Sequence, residues 1–243
     1  MNVSAVFTRV GRTRSRVLFG VAIVALAGLA VFGQVALRRL RPASAPVLAE
    51  GTLAALGGLR SLAAEVVWFR ADRLQDEGRY VEMSQLASVL TFLEPHTPEV
   101  WSYAAWNLAY NISIMMPDAE SRWRWVEAAI TLLRDEGLKL NPGSRELIQE
   151  LAWLFELKIG LDIDSAAETY RRLWREKVED VKGRGAWDEL GMDPSVMAKI
   201  EQATGFDDWG DPFLHAIYWA AQGDLRAVYE QSVRLYKKNH PQK

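Results

Sequence analysis

Residues 64–97 read AEVVWFRADRLQDEGRYVEMSQLASVLTFLEPHT, a stretch of 34 residues with the punctuation of a helical hairpin. Gly78 interrupts a helical pattern and predicts a turn between two helices. The small Ala71 precedes Gly78 by seven residues, and Pro95 follows it by 17. The stretch therefore predicts two antiparallel helices that cross at a small side chain, with a proline closing the unit.

The same spacing returns near the C-terminus. Ala216 precedes Gly223 by seven residues, and Pro241 follows Gly223 by 18. This arrangement resembles the tetratricopeptide repeat, and the resemblance covers most of residues 62–241 in a degenerate form. The units that it implies are 64–97, 98–141, 144–177 and 211–241, with an irregular insertion at 178–210.

The resemblance implies an α-solenoid of stacked helical hairpins, because one helix pair cannot bury both of its apolar faces. Residues 66–70, VVWFR, and the stretch from Trp101 to Asn111 are also similar to a group of bacterial membrane-anchored repeat proteins to which no activity is assigned. A compact helical bundle is the structural alternative.

Helical punctuation continues along the rest of the chain. Three dipeptides, Thr97-Pro98, Asp193-Pro194 and Asp211-Pro212, each place a capping side chain before a proline at the first helical position. Strand alternation and hairpin turns are missing from the sequence. We expect an all-α protein with about ten helices.

The N-terminus predicts a membrane anchor. Residues 17–37 are 21 residues without a charge, enough for a helix to cross a hydrocarbon core of roughly 30 Å. They follow a basic tail at 1–16, and the anchor with its basic stop spans 17–41. A cleaved signal peptide is the alternative, but the apolar run is long and Pro46 lies where cleavage is disfavoured.

Orientation rests on a slight charge bias, with four arginines before the span and three after it. We expect a single-pass protein of the bacterial inner membrane, with the N-terminus cytoplasmic and the helical domain periplasmic.

Residues 42–61 are predicted to be a linker, over 42–52, and a juxtamembrane helix that runs into a helical domain at 62–243. The apolar segment 53–69 is broken by Gly57-Gly58 and by charges, so it is too polar for a second span. It predicts either an amphipathic helix at the membrane surface or a core helix kinked at the two glycines.

The net charge of −2 conceals two unlike parts. Residues 1–41 hold seven of the 29 basic residues and no acid, so residues 42–243 hold 22 basic and 31 acidic side chains. An acidic domain of about −9 argues against nucleic-acid binding, which needs a basic face. The absence of cysteine excludes disulfides, thiolate metal sites and cysteine nucleophiles.

Catalytic signals are weak. His96, His215 and His240 occur singly, without a second ligand at helical spacing. The acidic clusters 162–164 and 207–211 are better explained as helix caps than as metal loops. We therefore predict no catalytic residue, metal site, cofactor or small-molecule substrate.

Ten tryptophans are the unusual component, and most are expected in the core. In the repeat family, the first helix of each pair lines a groove that contacts ligands. The resemblance thus implies an aromatic and acidic groove for a peptide with apolar anchors and some positive charge. Its candidate residues are Trp68, Asp72, Gln75, Asp76, Trp106, Tyr110, Asn111, Gln149, Trp153 and Glu156. The alternative is a plugged groove.

The functional hypothesis is a non-catalytic scaffold or adaptor that binds other proteins of an envelope complex, held to the bilayer by residues 17–37. One alternative is a structural subunit of a larger membrane assembly, in which the span and segment 53–69 make the main contacts. A further alternative is a glycan-binding or hydrolytic protein that uses Asp207, Asp208 and Asp211.

Overall fold

The computed structural model describes residues 47–241, with side chains from residue 58 onward. This part of the chain forms nine helices and no strand, so the predicted all-α class is confirmed for it. Several helices contain a π-helical stretch. The elements are α1 (Val47–Asp76), α2 (Tyr80–Leu93), α3 (Pro98–Trp106, π-helical Asn107–Ile112, Ser113–Met115), α4 (Ala119–Thr131, π-helical Leu132–Gly137, Leu138–Leu140), α5 (Arg145–Trp153, π-helical Leu154–Gly160), α6 (Ala167–Arg184), the 3₁₀ turn Trp187–Leu190, α7 (Pro194–Thr204), α8 (Pro212–Gln222) and α9 (Arg226–Asn239).

The predicted basic tail and span at residues 1–41 lie outside the described residues. Within residues 47–241, no helix combines the length and apolar character needed to cross a membrane.

Helix α1 corrects the prediction for the segment that follows residue 41. Residues 47–52 are helical, and α1 continues through Gly57 and Gly58 to Asp76, so the described part of the predicted linker and the predicted boundary at residue 62 fall inside one helix. Glycine costs about 0.5–1 kcal/mol in a helix relative to alanine but does not forbid it. Packing of Ala64, Ala71 and Leu74 into the domain favours the continuous helix.

Consecutive helices pair and the pairs stack. Helix α3 packs against α5, α5 packs against α8, and α4 packs against α6. The small residues Ala71, Ala105, Ala152 and Ala216 are all buried, where helices approach one another closely. The first turn requires glycine because Gly78 has a φ of +69°. In the last turn the positive φ belongs to Asp224 instead.

Helix α8 is the centre of the C-terminal half, since every residue from 212 to 220 is buried. Helices α5, α9 and α7 pack around it. The predicted insertion at 178–210 begins later than expected, because α6 continues to Arg184. The rest of the insertion covers α8, and the Tyr218 hydroxyl accepts a hydrogen bond of 2.8 Å from the Asp193 backbone N–H.

Two glycines permit the close contact of α5 with the C-terminal hairpin. A Cβ on Gly160 would lie 2.7 Å from a ring carbon of Phe213 and 3.0 Å from the Phe155 carbonyl oxygen. A Cβ on Gly223 would lie 2.9 Å from Cγ2 of Ile148. The close contact between α5 and the C-terminal hairpin therefore depends on glycine, which has no side chain, at positions 160 and 223.

Replacing Gly160 tests this contact. Gly160→Ala is expected to lower the free energy of unfolding by about 1–3 kcal/mol, because overpacking displaces Phe213. Gly183→Ala is the control, since a Cβ there meets nothing within 4 Å, and it should raise stability by about 0.5 kcal/mol. Denaturant unfolding of the full chain in mild detergent measures both. Equal effects of the two substitutions would contradict the packing described.

His215 is buried among aromatic rings, with its centroid 5.0 Å from that of Phe155 and 4.8 Å from that of Trp174. Its Nε2 lies 2.7 Å from the Trp209 carbonyl oxygen, so Nε2–H donates to that carbonyl. Burial lowers the pKa of His215 to about 4. The folded protein therefore holds a neutral imidazole at neutral pH.

This histidine makes stability depend on pH. Above about pH 6.5 the contribution of neutral His215 is complete, and it declines as pH falls toward 4, because only the unfolded chain takes up the proton in that window. The loss amounts to about 3 kcal/mol. His215→Gln should flatten that part of the profile of unfolding free energy against pH. Identical slopes for both proteins would show that His215 does not titrate between the two states.

Candidate functional site

The π-helical stretches in α3 and α5 set the directions of the side chains that follow them. A π turn contains an extra residue, so positions beyond it rotate away from where α-helical spacing would place them. Tyr110 lies in the π-helical stretch of α3, and Lys158 and Glu156 lie in that of α5. The predicted groove residues are therefore divided between different surfaces.

Glu156 is the clearest displacement from the predicted groove. It is buried against α9, where its carboxylate accepts hydrogen bonds from Gln231, at 2.6 Å, and from the Ser232 hydroxyl. Burial raises the pKa of Glu156, and these two hydrogen bonds only partly oppose it. Glu156 joins the third hairpin to the last one and does not contribute to a groove.

The predicted residues of α1 gather around Tyr103 of α3. The ring centroids of Trp68 and Tyr103 are 4.8 Å apart in an edge-to-face contact, and the Tyr103 hydroxyl donates to Oε1 of Gln75 at 3.5 Å. Burial, together with the charge of Asp72, raises the pKa of Tyr103 to about 12. One surface thus includes an aromatic pair, an amide and a carboxylate.

The same surface continues along α3 toward α5. The rings of Trp106 and Tyr110 stack at 6.0 Å, and Trp106 is 40% exposed. Burial and then the charge of Glu150 on α5 raise the pKa of Tyr110. Burial and then Glu146 raise the pKa of Glu150 itself. We call this surface the aromatic face, formed by Trp68, Asp72, Gln75, Tyr103, Trp106, Tyr110, Glu146 and Glu150.

Four predicted groove residues remain. Asp76 is exposed at the end of α1, and Gln149 and Trp153 are half-buried on α5. Asn111 donates to Oδ1 of Asn107 within α3, at 3.0 Å. Since Trp106 is exposed while the insertion packs on α8, the insertion does not plug the aromatic face.

Sequence reasoning missed Tyr103, Glu146 and Glu150. The signal for Tyr103 was present, because it precedes Trp106 by three residues and Tyr110 by seven, which is one face of a helix. Glu146 and Glu150 precede Trp153 by seven and three residues, a spacing that places them on the same face of a helix as this predicted residue. The aromatic face therefore differs in part from the predicted residue set, and its role as a binding surface stays a prediction.

A cleft of about 330 Å³ lies beside this face and shares Tyr110 with it. Its charged groups are two cations, Arg122 and Lys158, and one carboxylate, Asp164. The Lys158 Nζ lies 5.0 Å from the ring centroid of Tyr110, a cation–π contact. The lining is completed by Ile114, Ile163 and Ser165.

Asp164 organises the charged side of the cleft. Its carboxylate accepts hydrogen bonds from Lys158 Nζ at 2.6 Å, the Ala166 backbone N–H at 2.9 Å and the Tyr170 hydroxyl at 3.2 Å. Burial acts to raise the pKa of Asp164, but the hydrogen bonds and the charge of Lys158 outweigh burial and lower it. The cluster therefore carries charge at neutral pH while holding the turn between α5 and α6.

The carboxylates considered for glycan chemistry take part in contacts that hold the fold. Asp208 forms a two-pronged ion pair with Arg175, at 2.8 and 3.1 Å. Asp211 caps α8 by accepting from the Phe213 backbone N–H at 2.7 Å, and it also pairs with His240 at 2.9 Å. Among the described residues, no group of three or more acidic or histidine side chains is placed to hold a metal ion.

The two aspartates around Ile163 provide a matched test of the cleft. The side chains of Lys158 and Asp164 are only 3% and 5% exposed, whereas that of Asp162 is 85% exposed. Asp164→Asn is expected to cost about 3–5 kcal/mol, because it leaves Lys158 buried without a carboxylate partner. Asp162→Asn should cost under about 1 kcal/mol. Urea unfolding midpoints compare the two variants, and similar midpoints would contradict a structural role for the buried pair.

Comparison of the chain with models of known protein families, with curated proteins and with solved structures finds no match in any of the three.

Proposed function

We propose that this protein is a membrane-anchored adaptor of tetratricopeptide-like helical hairpins that binds other proteins without catalysing a reaction on them. The observation that carries the proposal is the aromatic face, where three helices from successive pairs contribute to one partly exposed surface. Trp106 and Tyr110 supply its apolar centre, and Asp72 and Glu150 supply negative charge.

The chemistry of this face favours a polypeptide ligand. Tryptophan and tyrosine contribute large contact areas with few rotatable bonds, and they are enriched among the residues that dominate binding energy at protein interfaces. Carboxylates beside them favour a ligand that carries lysine or arginine next to its apolar anchors. We infer that the partner presents an extended or helical segment of that composition.

The anchor is the second part of the proposal. Residues 17–37 are uncharged and flanked by arginines on both sides, which suits a single span. With the N-terminus cytoplasmic, the acidic helical domain lies in the periplasm, where it helps to assemble or position an envelope complex.

A structural subunit of a larger membrane assembly is the second candidate. The observation that favours it is the amount of apolar surface on the first hairpin, where Phe69 and Phe92 are exposed. In that case α1 and the span make the main contacts, and the aromatic face contributes little.

Photocrosslinking tests the proposal. A photoreactive phenylalanine analogue replaces Trp106 in the full chain in its own cells, and a discrete protein adduct is expected because the side chain lies in the contact. Charge reversal in Asp72→Lys with Asp76→Lys should reduce the adduct at least tenfold. A matched control reverses the exposed Glu179 and Asp188, on α6 and the turn after it, and should leave the adduct intact.

Removing residues 1–41 separates the two candidates. The adaptor keeps its adduct with a soluble partner, whereas an assembly subunit without residues 1–41 no longer co-purifies with its complex. The absence of any adduct at position 106, with the chain present in membranes, would refute the aromatic face as a binding surface.

A further inference from the structure

Helix α1 exposes a row of large apolar side chains. Leu59, Leu62, Val66 and Phe69 are each between 61% and 70% exposed. Their spacing of three, four and three residues places them on one face of the helix. We call this row the α1 stripe. It lies on the side of α1 opposite the residues that pack into the domain.

The opposite side of α1 is already used by the fold. Ala64 and Ala71 are fully buried, and Leu74 nearly so, against α2 and α3. The helix is thus apolar on two opposite sides, and the domain covers only one of them. A helix with this pattern normally has partners on both sides.

We propose that the α1 stripe is the interface with a second copy of this chain, formed as a parallel two-stranded coiled coil. The 3-4-3 spacing is the a/d pattern of a heptad, with Leu59 and Val66 at a and Leu62 and Phe69 at d. In that register the buried Ala64 and Ala71 occupy position f, which faces away from a coiled-coil seam.

The charges that flank the stripe select the parallel arrangement. Glu65 falls at g and Arg70 at the following e, the two positions that meet across a parallel dimer. Both side chains are exposed, and neither forms an ion pair among the described residues. A symmetric antiparallel pair centred on the stripe instead brings Glu65 close to its own copy, and the opposite-charge pair between Glu65 and Arg70 is lost.

The seam is short, but its formation costs little conformational entropy. Isolated helices of this length must first order their backbone, whereas α1 is already folded against the domain. The seam ends after Phe69 because the next a and d positions are the charged residues Arg73 and Asp76. Beyond it, the Glu77 carboxylate pairs with Arg79 at 2.9 Å. The parallel arrangement also directs both α1 N-termini the same way, as two chains anchored in one membrane require. That last point alone rests on the proposed anchor.

Single introduced cysteines test the arrangement, because the chain has no cysteine of its own that would react with them. Leu59→Cys and Phe69→Cys are made separately in the full chain in mild detergent and oxidised. In a parallel dimer each variant crosslinks with itself, and more than half of the chain should become disulfide-linked. In an antiparallel dimer the two positions lie about 15 Å from their own copies, so neither variant crosslinks. Lys199→Cys, exposed on α7, is the control and should not become disulfide-linked.

Charge exchange provides an independent measurement. Glu65→Arg alone and Arg70→Glu alone should each raise the dimer dissociation constant on the order of tenfold, because two symmetry-related pairs become repulsive. The double exchange restores both pairs and should return the constant to the original value. Sedimentation in detergent measures the dimer dissociation constant of the original chain, of the two single variants and of the double variant.

The proposal is overturned if the chain sediments as a monomer, if Leu59→Cys and Phe69→Cys crosslink only when mixed, or if the double exchange fails to restore association. Crosslinking to a different protein, or insertion of the stripe into lipid vesicles without self-association, overturns it as well. These outcomes do not depend on the adduct at position 106, so failure of the dimer and failure of the adaptor proposal are distinguishable.

Discussion

The close approach of α5 to the C-terminal hairpin is the contact on which the rest of the domain depends. Gly160 lies under the Phe213 ring, and Gly223 lies under Ile148, because neither glycine carries a side chain. Helix α8 is then surrounded on all sides, with His215 and its aromatic neighbours at the centre. Since α8 is central, the chain that precedes it must cover it, which explains why residues 187–211 pack there. The earlier hairpins then stack on α5 and leave their outer surfaces to solvent.

The two exposed surfaces of the domain arise from the same constraint. A helical hairpin buries one side against its neighbour, and the first hairpin has no described neighbour before it. Helices α1, α3 and α5 therefore expose the aromatic face, and another side of α1 exposes the α1 stripe. The aromatic face includes carboxylates and amides and suits a varied polypeptide ligand. The α1 stripe repeats with heptad spacing and suits a copy of itself.

Much of the fold could be predicted from local signals. Helices begin at Pro98, Pro194 and Pro212, and Gly78 occupies a turn with positive φ. The Asp193 and Asp211 side chains cap their helices as predicted, whereas the Thr97 side chain makes no capping hydrogen bond. The π-helical stretches could not be predicted, because they arise from tertiary packing that no local pattern records. Tyr110, in one such stretch, belongs to the aromatic face, whereas Glu156, in another, is buried against α9. A helix through Gly57 and Gly58 was among the predicted alternatives, whereas the start of α1 at Val47 was not, because Pro46 and Gly51 are local signals of a linker.

A partner protein that occupies the aromatic face in the cell shields Trp106 from solvent. Hydroxyl-radical footprinting tests it most directly, by comparing oxidation of Trp106 in native membranes with oxidation in the purified full chain. Met115 is exposed near the end of the same helix, and it serves as the internal reference. We expect Trp106 to be oxidised several-fold more slowly in native membranes and the oxidation of Met115 to be unchanged. Equal oxidation of Trp106 in both preparations would contradict it.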